Sequence, residues 1–177
     1  AMLRGADVTL VSGRTAIEPP MFVKVVPVVT AKDMYEAVTS VSDEQDIIIK
    51  AAAVADYRPA TVASEKIKKA EGGFAIPLER TQDILRSLGE AKPAGQFLCG
   101  FAMETQNLEE NARKKLETKN LDLVVGNNVK VVGSGFGAGT NAITFITKEG
   151  AEPQPRMDKA QVAGCIVDKI LAMRAEK

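Results

Sequence analysis

Histidine is absent from the chain, and that absence alone removes whole classes of chemistry. No Ser-His-Asp or Cys-His triad can be assembled from these residues, nor any site built on imidazole. Cysteine is scarce: Cys99 and Cys165 stand far apart in apolar segments, the pattern of two reduced thiols rather than a disulfide. Neither sign of charge is in excess, the net being zero, which argues against a nucleic-acid-binding surface. No apolar run is long enough to span a bilayer, and no secretory signal is recognisable. The expectation is a cytoplasmic protein with neither nucleic acid nor membrane as partner. A dinucleotide fingerprint is missing too. The glycine-rich run Gly133 to Gly139 lies between strand-like segments, with no helix behind it.

What is present fits one domain over residues 1–177, with 45% hydrophobic residues to build a core. Its organising stretch is Ile47 to Lys69. The β-branched run Ile47, Ile48, Ile49 reads as a buried central strand. It opens into Ala51, Ala52 and Ala53, then a carboxylate, Asp56, and after Pro59 a basic group, Lys66, Lys68 and Lys69. Ligands of open α/β sheets bind outside the carboxyl ends of strands. Small residues there let a flat group approach the backbone, an acid can hold it, and lysines suit phosphate. Taken singly, these are packing alanines, a turn aspartate and a solvated basic face. Together on one strand end they point to a site for a phosphorylated ligand.

The remaining chain alternates strand and helix. AMLRG at the start reads as a last helical turn closed by Gly5. Strands are expected over Asp7 to Val11 and Phe22 to Val29, the second ending near Pro27. A helix follows from about Thr30, with Met34, Ala37 and Val38 at helical spacing. After Gly72-Gly73, Phe74 to Leu78 is expected as a short strand of a flap over the site. Thr81 is expected to cap a helix running through Leu88, with Asp83 in its first turn. Gln96 to Ala102 and Leu121 to Val125 read as strands, with a helix over Leu108 to Leu116 between them. Ala142 to Arg156 reads as a β-hairpin. Asp158 to Met173 reads as an amphipathic helix with Val162, Ile166, Ile170 and Met173 on one face. The expected class is α/β: a Rossmann-like, mainly parallel sheet flanked by helices, with an added hairpin.

Several segments in this order, GADVTLVSG, AAAVADYRP, EKIKK, QDIL, GFAMET, KNLDLVVGNNV and FGAGTNAITFI, resemble the phosphopantothenoylcysteine synthetase domain of bacterial coenzyme A biosynthesis. The resemblance covers nearly the whole chain. It implies a two-step ligase. The carboxylate of 4'-phosphopantothenate attacks the α-phosphate of CTP, releasing pyrophosphate, and the amine of cysteine then displaces CMP from the acyl-cytidylate. Magnesium is implied with CTP, as are a homodimer and a fused flavin decarboxylase domain in the full-length protein. CTP rather than ATP rests on the resemblance alone.

By the same resemblance, Ala51 and Ala52 present backbone to the nucleotide and Asp56 holds it. Lys66 stabilises phosphate charge or acts on the acyl-cytidylate. Thr81, Gln82, Asp83 and Ile84 form a wall, Phe101 packs on the nucleotide, and Lys115 and Lys119 reach the triphosphate from one helix face. Asn127 stands where the second substrate would lie. The chain departs from the family's habits at Gln82, at Asn127-Asn128 and at Gly139. The family's first strand and its glycine-rich loop are also expected to be absent, so the 177 residues alone are expected to be inactive or nearly so. A rival reading is a regulatory module that binds nucleotide without turnover and has no need of Lys66. A second rival, an NAD-dependent oxidoreductase, lacks its glycine motif.

Overall fold

The computed structural model describes residues 1–68, 74–104, 107–128 and 139–176. A short 3₁₀ turn, Met2–Arg4, ends at Gly5, whose φ of 85° is the left-handed conformation a glycine C-cap supplies. Strands β1 (Thr9–Ser12) and β2 (Lys24–Pro27) pair in parallel. Helix α1 (Ala31–Thr39) starts from a capping box. Asp33 N–H donates to Thr30 Oγ1 at 3.0 Å, and Thr30 N–H donates to Asp33 Oδ2 at 2.8 Å. Then follow β3 (Ile47–Lys50), β4 (Tyr57–Pro59), β5 (Leu78–Arg80), α2 (Ile84–Ala91), β6 (Phe97–Glu104), α3 (Leu108–Thr118) and β7 (Leu123–Asn128). The chain continues with β8 (Thr140–Asn141), β9 (Ile143–Ile146), β10 (Ala151–Pro153), β11 (Met157–Asp158) and α4 (Lys159–Ala175).

The central sheet has the order β10-β9-β7-β6-β3. β3, β6 and β7 run parallel, while β9 and β10 form the expected antiparallel hairpin on β7. Period-two alternation along β6 divides the core between the two faces. Leu98 and Ala102 join Leu85, Leu88, Ala112 and Leu116 of α2 and α3 on one face, with Met34 and Val38 of α1 against them. Phe97 and Cys99 join Val162, Ile166 and Ile170 of α4 on the other, where Met173 packs as its spacing implies. Burying such side chains contributes roughly 1.5–3 kcal/mol each, so this alternation positions the strand ends. Cys99 and Cys165 are both free, and burial, helped by Asp122, pushes the Cys99 thiol up to about 12.

Four expectations need correction. β3 is an edge of its hydrogen-bonded sheet rather than central, and Ile49 is 40% exposed. The cause lies in β1 and β2, which pair with each other and leave a groove of about 580 Å³ between β1 and β3. The strand expected over Phe74 to Leu78 begins only at Leu78. Pairing with β4 sets its position, and the Arg58–Glu79 ion pair at 2.6 Å fixes the register. Asp83, not Thr81, caps α2, because the Thr81 hydroxyl is engaged elsewhere. The helix then runs past Leu88 to Ala91. Lys69, Gly72-Gly73 and the glycine run up to residue 138 lie outside the described residues.

Candidate functional site

Beyond the carboxyl ends of β3, β6 and β7 lies a cavity of about 440 Å³. Its floor is the segment from Ala51 to Asp56, which leaves β3 without entering a helix. The alanines there are exposed, so backbone lies open to a ligand that larger side chains would hold off. Two bonds from Thr81 tie this floor to the wall beside it. Its hydroxyl donates to the Ala55 carbonyl at 2.6 Å, and its N–H donates to the Asp56 carbonyl at 2.9 Å.

Asp83 joins that wall to α3. One carboxylate oxygen accepts from Arg86 N–H at 3.1 Å as the helix cap, and the other meets Lys119 Nζ at 2.7 Å. Burial opposes ionisation of Asp83, but the Lys119 ammonium and the Arg86 amide outweigh it and hold the carboxyl below its usual range. Lys119 follows the last turn of α3, a position the helix dipole favours for a cation. Lys115, one turn earlier, donates to the Phe101 carbonyl of β6 at 2.6 Å. The two lysines share a face, as their spacing predicts, and both line the cavity.

The α4 side of the sheet contributes Phe101, Asn127, Ile143, Lys159 and Val162. Asn127 is buried, and its Oδ1 has no hydrogen-bond partner among the described residues. An orphaned acceptor is a costly group to keep, so a donor from a ligand would stabilise it.

The cavity thus gathers Ala51, Ala52, Asp56, Thr81, Gln82, Asp83, Ile84, Phe101, Lys115, Lys119 and Asn127. Lys66 is the exception: it is exposed and does not line the cavity. Sequence reasoning missed Lys50, Asn141 and Lys159, which do. Lys50 is half-buried at the end of β3. Burial first, and then the nearby Lys119 charge, push its amine below the ordinary lysine range, against the pull of Asp83 and Asp56. The only sequence signal was a lysine closing an apolar run. Among the described residues no group of three or more acidic, cysteine or histidine side chains is arranged to hold a metal.

The family described as the DNA/pantothenate metabolism flavoprotein C-terminal domain matches residues 1–173. The bifunctional coenzyme A biosynthesis protein CoaBC of Bacillus subtilis (strain 168) is 49% identical over 175 residues, covering 98% of this chain and 43% of its own length. The chain therefore spans less than half of that relative. The crystal structure of the C-terminal domain of a CoaBC superposes with a TM-score of 0.82 at 41% identity, covering 99% of this chain and 79% of that one. A Cab2 variant in complex with phosphopantothenate-cysteine has a TM-score of 0.70 at 19% identity over 88% of this chain and 54% of its own, a likeness of fold. On the match across residues 1–173 and the identity of its relatives, the chain belongs to the DNA/pantothenate metabolism flavoprotein C-terminal domain family.

Proposed function

We propose that residues 1–177 are the ligase domain that joins 4'-phosphopantothenate to cysteine in coenzyme A biosynthesis, using CTP. The observation that carries this reading is the convergence of an exposed alanine floor, Asp56, Lys115, Lys119 and buried Asn127 on one cavity. The naming of the relatives as coenzyme A biosynthesis proteins supports it, as does a protein of the same fold with phosphopantothenate-cysteine bound.

In the first step a carboxylate oxygen of 4'-phosphopantothenate bonds to the α-phosphorus of CTP. The bond from that phosphorus to the bridging oxygen breaks, and pyrophosphate leaves. Both reactants are anionic, so cations at the cavity wall lower the barrier by offsetting charge as it develops. Lys119 and Lys115 fill this role, and Asp83 and the Phe101 carbonyl hold them in place before the ligand arrives. Magnesium bound with the nucleotide would add to this charge neutralisation. The floor at Ala51 and Ala52 receives the base against exposed backbone. In the second step the cysteine amine attacks the acyl carbon, CMP departs, and the amine gives up a proton. Asn127 Oδ1 accepts a hydrogen bond from the substrate, which satisfies the orphaned acceptor. A homodimer in the cytoplasm and a fused flavin decarboxylase domain belong to the same proposal.

The exposed position of Lys66 outside the cavity favours a second reading, a regulatory module that binds nucleotide without turnover. Calorimetric titration of the purified chain with CTP and ATP in magnesium tests binding, and release of pyrophosphate by the full-length protein on adding 4'-phosphopantothenate tests chemistry. The ligase reading expects CTP to bind over ATP and pyrophosphate release to follow, with Lys119→Met weakening both. CTP binding with no pyrophosphate release supports the regulatory module, and a folded protein that binds neither nucleotide overturns both readings.

A further inference from the structure

Lys50 is one of three polar residues of this cavity, with Asn141 and Lys159, that neither the motifs nor the resemblance pointed to. It stands opposite Gly100 in the parallel register with β6. Alternation places its side chain on the face of Ile48, the face covered by α1, α2 and α3. Its surroundings are mixed in charge: Lys119 after α3, Asp83 at the start of α2, and Asp56 on the floor.

Four lysines line the cavity, Lys50, Lys115, Lys119 and Lys159. Lys115 is committed to the Phe101 carbonyl and Lys119 to Asp83, while Lys159 is exposed to solvent. Lys50 alone of the four is half-buried with no hydrogen bond or ion pair among the described residues. A partly desolvated ammonium without a direct partner is costly, and the protein keeps it at the carboxyl end of β3, beside the cavity. Asp83 cannot neutralise it fully, because that carboxylate already serves Lys119 and the α2 amide. An incoming anion can. An ammonium is a compact point charge with three donors, suited to a phosphoryl oxygen.

We infer that Lys50 is an anion-binding residue of this cavity, taking a phosphoryl oxygen of the bound nucleotide beside Lys119. The inference rests on the reading of the cavity as a nucleotide site, and it adds a contact that reading did not contain. The free amine is less basic than an ordinary lysine, and pairing with phosphate restores its basicity. Nucleotide binding therefore draws a proton from solution at alkaline pH, where free Lys50 has begun to lose its own.

The test is calorimetric titration of the purified protein with CTP, inorganic pyrophosphate and cytidine in magnesium, in two buffers of different ionisation enthalpy. Lys50→Met is expected to weaken CTP and pyrophosphate about tenfold, leave cytidine unchanged and abolish proton uptake. Lys50→Arg is expected to retain CTP affinity within about threefold. The melting temperature of Lys50→Met should equal or exceed that of the parent, since an unpaired charge has been removed. Unchanged CTP affinity in folded Lys50→Met or equal weakening of cytidine would each overturn the inference while leaving the nucleotide reading standing. A parent protein that binds neither CTP nor pyrophosphate removes both.

Discussion

Asp83 holds two groups at once, a helix amide and the Lys119 ammonium, and its titration should be visible in stability. Its folded pKa lies below the ordinary carboxylate value. The contribution is therefore present above that value and is lost as pH falls through the folded one. The pair is partly exposed, so solvent screening keeps its share near 0.5 kcal/mol. Thermal melts at constant ionic strength should show the parent losing stability from pH 5 to pH 3 more steeply than Asp83→Asn, which keeps the cap but not the charge. Parallel curves for the two proteins would show that the pair contributes nothing. Asp83→Ala also loses the cap and should cost about 1 kcal/mol at neutral pH. At this scale much of the site was legible, because chemistry follows residue type. The structure gathers the alanines after β3, Asp56, Lys115 and Lys119 around one cavity. Lys50 was not legible: a lysine closing an apolar run reads as the wet end of a strand, and only sheet register puts it under α2 and α3. The cap was misread for a related reason. Thr81 and Asp83 are both good caps in sequence, and the tertiary bond from the Thr81 hydroxyl to Ala55 decides between them.

The contact between α2 and the end of α3 holds the wall of the cavity. At Gly89, inside α2, an added Cβ would lie 1.9 Å from the Lys119 carbonyl oxygen and 2.7 Å from its carbon. Both are backbone atoms and have no rotamer with which to yield. Asn120, at φ 50°, closes the junction by donating its Nδ2 to the Gly89 carbonyl at 2.9 Å. Gly89→Ala gains helix propensity, but here it drives two backbones apart. The steric term wins, and a loss of about 1–3 kcal/mol is expected in chemical denaturation. The substitution also displaces Lys119 from Asp83, so CTP binding should weaken in the protein that remains folded. A variant as stable as the parent would mean that the helices separate at no cost. From sequence, this helix is expected to run only through Leu88. The helix instead continues to Ala91, and glycine is there because α3 leaves no room for a side chain. Element identity follows from local pattern, as the capping box of α1 and the apolar face of α4 demonstrate. An element's limits often depend on a neighbour that the pattern does not contain.

At the level of the molecule, the sheet is uneven in how well it is supported. β6 and β7 are paired on both edges, and Phe97, Leu98, Cys99, Leu123, Val124 and Val125 are fully buried. β3 and β1 are each paired on one edge among the described residues and face one another across the groove. Leu10 and Val11 line one wall, and Ile47, Ile48 and Ile49 the other. The triplet of isoleucines reads as a central strand because apolar runs are usually covered on both sides, and nothing local reveals which neighbours it will find. This unevenness bears directly on function, since β3 carries Lys50 and the floor from Ala51 to Asp56. Backbone groups on an open edge exchange by local opening, whereas those of a doubly paired strand wait for global unfolding. Hydrogen exchange of the 177-residue chain should therefore find β6 and β7 protected to the limit of global stability. β1, β2 and the open-edge amides of β3 should exchange many times faster. A floor that opens this readily positions the nucleotide poorly, so the same preparation should form little or no amide from 4'-phosphopantothenate and cysteine. Saturating CTP should slow exchange in the peptide that spans Ile47 to Asp56 more than in β6 or β7, because the proposed floor lies where the sheet is weakest. Uniform protection across all five of these strands, together with measurable amide formation, would show that the groove does not weaken β3 and that the floor is rigid without help.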